Sequence, residues 1–300
     1  MVSIVARGVI LVVGVGILTA CGASGGRRTT SASTTTSRST SLPAPSTTSS
    51  GTTSTSSTAT SPAAPPPTVM NAPNCKPPTQ HPYPVVLSPG TFGVTTWNLI
   101  GPQLAQLGYC VFTFGYGNSE TASIAASARQ LGSFVDRLLA RTRASRVDIV
   151  GHSEGGMMPR YYLKFLGGTA KVDDLVALAP PNHGTLNPAA FGGALTGCVA
   201  CAEQQSGSSF LTQLNAGDPT PPPVNYTVIA TMYDEVVIPY TSAFLDGPSA
   251  RVTNVTLQQQ CPHDFVGHLG ITSDPVALQW VENALTRTTG PANPDFAPSC

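Results

Sequence analysis

The most constraining feature of the sequence is the hexapeptide GHSEGG at residues 151–156, which follows a short apolar run at 147–150 and precedes a stretch with helical spacing. It places the pattern G-x-S-x-G in a strand–turn–helix setting, where two glycines permit a sharp turn that lifts the hydroxyl of Ser153 clear of a sheet. The backbone N–H of Glu154 then lies at a helix N-terminus, where it can donate to a developing negative charge. The pattern predicts a nucleophilic serine, and a tight turn that contains serine by chance is the alternative.

Strands and helices alternate around this motif. Short apolar runs bounded by Gly or Pro predict buried strands, and apolar residues three and four apart predict helices. This alternation, with nearly continuous apolar strands, predicts an α/β fold with a mainly parallel sheet covered by helices on both faces. The predicted strands are 84–88, 109–114, 147–150, 175–179, 226–231 and 251–258, and the predicted helices are 95–107, 121–143, one from the serine turn through 163, and 275–285.

Residues 185–223 depart from this pattern, because they have no regular period and are rich in Gly, Pro, Ser and other small residues. An irregular segment of this length inside a compact domain is usually a lid or a binding element. We therefore expect a loop-rich lid region here.

The N-terminal end differs in kind from the rest of the chain. Arg7 is followed by an apolar run at 9–18, too short to span a bilayer as a mature helix, and then by Leu-Thr-Ala-Cys at 18–21. We interpret 1–20 as a signal peptide, and the final tetrapeptide resembles the lipobox of bacterial lipoproteins, in which the cysteine is acylated. Cys21 would then carry a lipid anchor. The alternative is an ordinary secretory signal whose cleavage leaves a soluble protein.

A stalk is predicted between this signal and the domain. From 29 to 68 nearly every residue is Ser, Thr, Pro, Ala or Gly, and Arg38 is the only charge. Such a segment buries too little apolar surface to offset the entropy of ordering it, so we expect 21–70 to be a disordered stalk that could be O-glycosylated. The remaining 71–300 suffice for one catalytic domain. We expect the protein to be exported, and either lipid-anchored on the outer face of the cell membrane or secreted.

The charge balance argues against one class of partner. Fifteen basic and fifteen acidic residues give a net charge of zero, and the sequence has no Lys/Arg cluster. Nucleic-acid binding usually leaves a basic footprint, so we expect no nucleic-acid partner. We also expect a monomer.

Six cysteines follow the stalk, an even number that suits disulfides in an exported chain. Six cysteines allow fifteen pairings, and sequence alone does not choose among them. The C-x-x-C spacing at 198–201 could also be a redox motif or half a zinc site. No second C-x-x-C or H-x-x-x-H completes a metal site, so we expect a disulfide and no metal. The favoured set is Cys198–Cys201, Cys75–Cys110 and Cys261–Cys300.

A serine hydroxyl is a weak nucleophile that needs a histidine base and a carboxylate that orients this base. In this type of fold the chain order is Ser, then Asp or Glu, then His, with the acid in a loop after a strand. Asp234 follows the predicted strand 226–231 and is the favoured acid, and the adjacent Glu235 is the runner-up. An aspartate that only caps a turn is the alternative.

The base is expected in a late loop before the final helix, where His263 and His268 both lie. His268 is favoured because it leads directly into that helix, whereas His263 follows a cysteine and could be fixed near a disulfide. No third ligand is evident that would make the two histidines a metal site. We expect His152 to pack beneath the serine turn and His183 to have a structural hydrogen-bonding role, although His183 could approach the pocket.

A second oxyanion donor is expected in the loop after the first strand, residues 88–93, Ser-Pro-Gly-Thr-Phe-Gly. Its glycines allow close backbone approach, and the N–H of Thr91 is the best candidate, with the Thr91 hydroxyl as an additional one. A simple Pro-Gly turn is the alternative.

Together these features make residues from about 75 to 285 resemble secreted bacterial lipases of the α/β-hydrolase fold, the group often called lipase class 2. Many members have His-Gly where this chain has Pro89-Gly90, and the Pro-Gly-Thr version is similar to the oxyanion loop of a fungal lipase of related fold, which supports Thr91 as the donor. The segments that carry the resemblance are 84–87 with 89–93, 108–112, 151–156, 181–185, Tyr233-Asp234 with Val237 and Pro239, and 267–270.

The resemblance implies that Ser153, Asp234 and His268 form a catalytic triad. It also implies hydrolysis of carboxyl esters, with lipid or short acyl-ester substrates, and no cofactor. The N–H groups of Thr91 and Glu154 would hold the oxyanion. Candidates to line an acyl pocket are Phe92, Phe191, Phe210 and Leu211, and simple packing roles are equally plausible for all four.

Two alternatives remain open. The same machinery could serve an acyltransferase or a cutinase-like enzyme that acts on cell-envelope lipids or polymers. The chain could also be a surface lipoprotein that kept the fold without activity. The intact set of Ser, Asp and His speaks against the second alternative, because a decayed site should have lost one of them.

Overall fold

The computed structural model describes residues 69–188 and 197–300, and its centre is a six-stranded sheet. The strands are β1 Val85–Ser88, β2 Val111–Thr113, β3 Val147–His152, β4 Val172–Leu178, β5 Asn225–Ala230 and β6 Val252–Thr256. Their order across the sheet is β2-β1-β3-β4-β5-β6, and every neighbouring pair is parallel. The parallel sheet predicted from the apolar runs is confirmed.

Helices cover both faces of this sheet. They are α1 Ile100–Gln106, α2 Gly117–Glu120, α3 Ile124–Thr142, α4 Glu154–Phe165, α5 Val199–Glu203, α6 Ser209–Asn215, α7 Leu257–Gln260 and α8 Pro275–Leu285. Helices α3 and α4 pack into one core, and α1 and α8 pack into a second core. Successive residues of β1 alternate between the two cores, because side chains of a strand point to opposite faces. None of the helices in 69–188 and 197–300 combines the length and apolar character needed to cross a membrane.

Helix α3 illustrates why sequence periodicity predicts this layer well. Its apolar residues recur every three or four positions and form one stripe that faces the sheet. Burial of each large apolar side chain contributes about 1.5–3 kcal/mol, so the stripe fixes the helix in place. The residues of the stripe, each at most 2% exposed, are Ile124, Ala128, Leu131, Val135 and Leu138.

Some predicted boundaries are wrong. The helix predicted for 95–107 begins only at Ile100, because the preceding residues form a loop in which the Thr95 hydroxyl accepts the N–H of Gly90. The strand predicted for 251–258 ends at Thr256, where α7 begins. Most other element ends differ from the predictions by up to three residues.

The segment 185–223 is more regular than its sequence indicates, because it contains α5 and α6. Helices of five and seven residues are too short to produce a visible period. Residues 189–196, which include Phe191, lie outside the described residues. The lid therefore stays a prediction.

Three disulfides cross-link the domain. Their pairing is the one that the sequence analysis favours, so the predicted connectivity is confirmed. Two of them join residues 35 and 39 positions apart and tie the start of the domain to β2 and the chain end to α7. Such loops contribute about 2–4 kcal/mol each by constraining the unfolded chain. The pairs are Cys75–Cys110, Cys198–Cys201 and Cys261–Cys300, with Cα atoms 5.8, 5.3 and 5.5 Å apart.

Candidate active site

The strand order brings four loops to one edge of the sheet. Strand β2 lies on one side of β1, and β3 to β6 follow in order on its other side. The direction in which strands are added to the sheet therefore reverses between β1 and β3. In open parallel sheets a crevice forms at the carboxyl ends of the strands at such a point. Thr91 follows β1 and Ser153 follows β3, whereas Asp234 and His268 lie in the connections after β5 and β6.

Ser153 lies in a strained turn between β3 and α4. Its φ of 54° and ψ of −125° are uncommon for a residue with a side chain. A Cβ atom at Gly151 would lie 2.0 Å from the carbonyl oxygen of Gly155, and one at Gly155 would lie 2.2 Å from that of Ser88. The close packing of main chain therefore requires glycine at both positions that flank the serine turn.

Asp234 and His268 form a buried hydrogen-bonded pair. Nδ1 of His268 lies 3.0 Å from Oδ2 of Asp234, with the histidine and aspartate side chains 3% and 1% exposed. The other carboxylate oxygen accepts the N–H groups of Val236 and Val237 at 2.9 and 2.7 Å. Because an ionised carboxylate only accepts, Nδ1 carries the proton, and Nε2 of the neutral imidazole can take one. This is the arrangement that a general base requires.

The runners-up for acid and base have other positions. Oε2 of Glu235 accepts the backbone N–H of His268 at 2.8 Å, so this carboxylate holds the main chain of the loop and does not contact the imidazole nitrogen. His263 lies beside Cys261 in a separate cavity. The structure thus brings His268, and not His263, next to Asp234.

His152 packs directly against the base. It is 1% exposed, and its ring centroid lies 4.8 Å from that of His268. Burial, and to a lesser extent the charge of His268, lower the pKa of His152 to about 3. His152 is therefore neutral at the pH values at which proteins normally work, and it can serve as both a hydrogen-bond donor and an acceptor.

Thr91 and Glu154 each begin a helical turn, Thr91 that of residues Thr91–Gly93 and Glu154 that of α4. The first N–H groups of a helix have no partner within it. In the part of the chain that the structure describes, the N–H groups of these two residues donate no hydrogen bond, so both can bind an anion. The Thr91 hydroxyl donates to Oε2 of Glu154 at 2.7 Å, so here it is not available as an additional oxyanion donor.

One cleft of about 110 Å³ is shared by Thr91, Ser153 and His268. It is mostly apolar at its mouth, where Phe92 and Leu269 are 47% and 57% exposed. Its lining consists of Gly90, Thr91, Phe92, Val94, His152, Ser153, Val236, His268 and Leu269.

Of the residues expected to line an acyl pocket, one lines the cleft and others lie in the core. Phe92 lines the cleft, but Phe210 and Leu211 pack in the core with α3 and α4, so the packing alternative holds for both. His183 is exposed and does not line the cleft; its Nδ1 lies 3.4 Å from Nδ2 of Asn215. Sequence reasoning missed the apolar residues Val94, Val236 and Leu269, although each lies within three positions of Thr91, Asp234 or His268.

A group of three carboxylates lies at the amino end of the sheet, opposite the cleft. Oxygens of Asp148, Asp173 and Asp174 lie within 4.8 Å of one another. Arg146 pairs with Asp173 at 2.7 Å, and burial, reinforced by neighbouring carboxylates, raises the pKa of Asp148 and raises that of Asp174 to about 8. Burial therefore favours the neutral form of Asp148 and Asp174. The closeness of the three carboxyl groups can be explained without a metal ion.

Residues 82–281 match a family model described as "Lipase (class 2)". The chain is also similar to the solved structure of Aspergillus fumigatus lipase B, with a TM-score of 0.61 and 23% identity over 71% of this chain and 54% of that one. A second similar structure is Bacillus licheniformis lipase BlEst2 in its propeptide form, with a TM-score of 0.57 and 17% identity over 76% and 55% of the two chains. These similarities show the predicted α/β-hydrolase fold. The chain spans about half the length of these two proteins.

Proposed function

The chain belongs to the lipase (class 2) family, and from that premise we propose that it is a serine-dependent hydrolase of carboxyl esters. The observation that carries the proposal is the buried pair of Asp234 and His268, 3.0 Å apart, whose histidine lines the same cleft as Ser153. A buried carboxylate that orients a histidine beside a serine is the arrangement that activates a serine hydroxyl. The strained serine turn is a second support, because strain of this kind persists where the surrounding structure maintains it for a function.

In the proposed reaction, Nε2 of His268 takes the hydroxyl proton of Ser153 while Oγ attacks the ester carbonyl carbon. The N–H groups of Thr91 and Glu154 bind the oxyanion of the tetrahedral intermediate. His268 returns the proton to the leaving alcohol as the C–O bond breaks, which leaves an acyl-enzyme. Water, deprotonated by His268, then attacks the acyl carbon and releases the acid together with the regenerated hydroxyl of Ser153.

The cleft supports an acyl-ester substrate. Phe92, Val94 and Leu269 give it an apolar mouth that is open to solvent, which suits an acyl chain of a lipid or a short ester. No cofactor takes part in the proposed mechanism. We further propose that the enzyme works as a monomer.

We also propose that the enzyme is exported and held at the outer face of the membrane by acylated Cys21 and the stalk 21–70. Both lie outside the described residues. The three disulfides support export, because disulfides persist in oxidising compartments. Mass spectrometry of the N-terminal peptide from the native host tests this proposal, since a diacylglyceryl group on Cys21 supports it and a cleaved, unmodified N-terminus contradicts the anchor.

The test of the activity is hydrolysis of p-nitrophenyl esters, from acetate to palmitate, by the full-length protein and its Ser153→Ala variant. We expect the variant to lose on the order of a million-fold in kcat. Ser133→Ala is a matched control, because Ser133 is exposed on α3, away from the cleft. Equal activity of wild type and Ser153→Ala contradicts the proposal. Ester products formed from an added alcohol acceptor would instead indicate an acyltransferase.

A further inference from the structure

The side chain of Glu154 is buried without a basic partner. It is 0% exposed, its Oε2 accepts the hydroxyl of Thr91 at 2.7 Å, and Oε1 has no hydrogen-bond partner within 69–188 and 197–300. No lysine, arginine or histidine in these ranges forms an ion pair with it. A buried polar group with incomplete hydrogen bonding costs free energy, so a carboxyl group at this position requires an explanation beyond packing.

Gln204 reaches the same place from a distant segment. Its Nε2 donates to Oγ1 of Thr91 at 3.0 Å and lies 3.3 Å from Oε2 of Glu154. Gln204 is fully buried and directly follows α5, whose first turn is closed by the disulfide between Cys198 and Cys201. We name Thr91, Glu154 and Gln204, with their three mutual contacts, the brace.

We propose that Glu154 and Gln204 are positioning residues whose side chains set the spacing of the two oxyanion donors. The inference rests on the proposed function, because the donors are the N–H groups of Thr91 and Glu154. These residues follow different strands, β1 and β3, so their N–H groups are not held together by local chain geometry. The hydrogen bond between their side chains joins the two loops at the place where the oxyanion would bind. Donors fixed in advance stabilise a transition state most strongly, because they need no reorganisation.

The brace works with Glu154 in its neutral form. Burial raises the pKa of Glu154 well above its ordinary range, against the lowering effect of the hydrogen bonds from Thr91 and Gln204. The carboxylates of Glu120 and Glu203 raise this pKa further. A neutral carboxyl group can accept the Thr91 hydroxyl without placing a negative charge beside the oxyanion.

The groups that face Glu154 from other elements are acidic. They are Glu120 of α2, Glu203 of α5 and the hydroxyl of Tyr116, whose own pKa is raised by burial and by the charges of Glu154 and Glu120. Glu120 accepts the N–H of Tyr116 at 3.3 Å, and Glu203 accepts that of Ile124 at 2.6 Å, so both carboxylates have structural partners. None of these groups can neutralise an ionised Glu154, so kcat should fall as the pH rises past the raised pKa of this carboxyl group.

The test compares the full-length wild type with Gln204→Met and Glu154→Gln, using a short soluble p-nitrophenyl ester. Methionine keeps the length of Gln204 without its hydrogen bonds, and we expect kcat to fall about tenfold or more with KM changed less than about threefold. Glutamine keeps the Thr91 contact and cannot ionise, so the kcat of Glu154→Gln, taken relative to its own value at neutral pH, should not fall as the pH rises. Gln213→Met, at an exposed position on α6, is the matched control.

A merely structural role predicts a different result. Gln204→Met would then lower the unfolding midpoint and leave the kcat of the folded protein unchanged, and this outcome overturns the inference. A fall of kcat with rising pH that is identical in wild type and Glu154→Gln also overturns it, and this readout remains if Gln204→Met does not fold. Activity that persists in Ser153→Ala would instead remove the proposed function, so the two failures are distinguishable.

Discussion

Nε2 of His152 lies 2.9 Å from the carbonyl oxygen of His268, so the residue that precedes the candidate nucleophile holds the main chain of the candidate base. A carbonyl only accepts, so Nε2 carries the proton and Nδ1 must accept the hydroxyl of Thr95, 2.8 Å away. The Thr95 hydroxyl in turn accepts the N–H of Gly90 at 2.7 Å. One chain of hydrogen bonds therefore joins the loop after β1, the serine turn and the loop of His268.

Thr95→Val should break this chain at its centre. Valine has nearly the same shape, but it leaves the N–H of Gly90 and Nδ1 of His152 without their partner. Because unsatisfied buried groups cost about 1–3 kcal/mol each, we expect the free energy of unfolding to fall by at least about 1 kcal/mol and kcat to fall with it. Urea unfolding and ester hydrolysis measure the two effects. Thr212→Val, at an exposed position of α6, is the control, and equal stability of the two variants would contradict the role of Thr95.

Asp234→Asn should lower kcat far more than Glu235→Gln. Asparagine can present its NH₂ group to His268 and favour the wrong tautomer, and in a comparable triad this change lowers kcat about ten-thousand-fold. Glutamine at 235 still offers a carbonyl oxygen to the backbone N–H of His268, so we expect a loss of about tenfold or less. Measurements of kcat with one ester decide between the two acids. A larger loss in Glu235→Gln would make Glu235 the orienting acid.

Asp174→Asn should make the protein more stable at neutral and mildly alkaline pH. The folded-state pKa of Asp174 is about 8, raised by burial from the ordinary value of 3.8. Between these values the folded protein binds a proton that the unfolded chain has released, so stability falls as the pH rises from about 4 to about 8. Asparagine cannot titrate, and the decline should become shallower, although Asp148 maintains part of it.

The measurement for Asp174→Asn is the free energy of unfolding in urea at several pH values. One pKa unit corresponds to about 1.4 kcal/mol, so a gain of about 1 kcal/mol or more at pH 7 is expected. Asp246→Asn provides the control, because Asp246 is exposed. A slope with pH as steep as that of the wild type would show that Asp174 is ionised in the folded protein.

The sequence predicts those parts of the molecule that depend on local patterns. The apolar stripe of α3 follows from the helical spacing of its residues. The chain order of Ser, acid and His leaves two acids and two histidines, and the places of Asp234 after a strand and His268 before the last helix favour these two, which lie side by side in the structure. Their catalytic roles remain predictions, which ester hydrolysis by the Ser153→Ala and Asp234→Asn variants tests.

The contacts that the sequence does not predict are non-local. Gln204 lies 113 positions from Thr91, inside a segment whose helices are too short to show a period, so no local signal indicates their contact. The role of Thr95 is similar, since its partner His152 is 57 positions away. Such contacts depend on how the strands are ordered, which the apolar runs alone do not determine.

Removal of single disulfides should separate stability from activity. In the chain-entropy account, the stabilisation grows with the length of the closed loop. Replacing Cys75 and Cys110 with alanine opens a separation of 35 residues and should cost about 4 kcal/mol, whereas the same change at Cys198 and Cys201 opens a separation of three and should cost about 2 kcal/mol. The loss of kcat should have the opposite order, because only the short loop anchors α5 and with it Gln204. Urea unfolding and ester hydrolysis on both double variants test this, and a lower kcat in the Cys75/Cys110 variant would argue against the connection between α5 and the oxyanion hole.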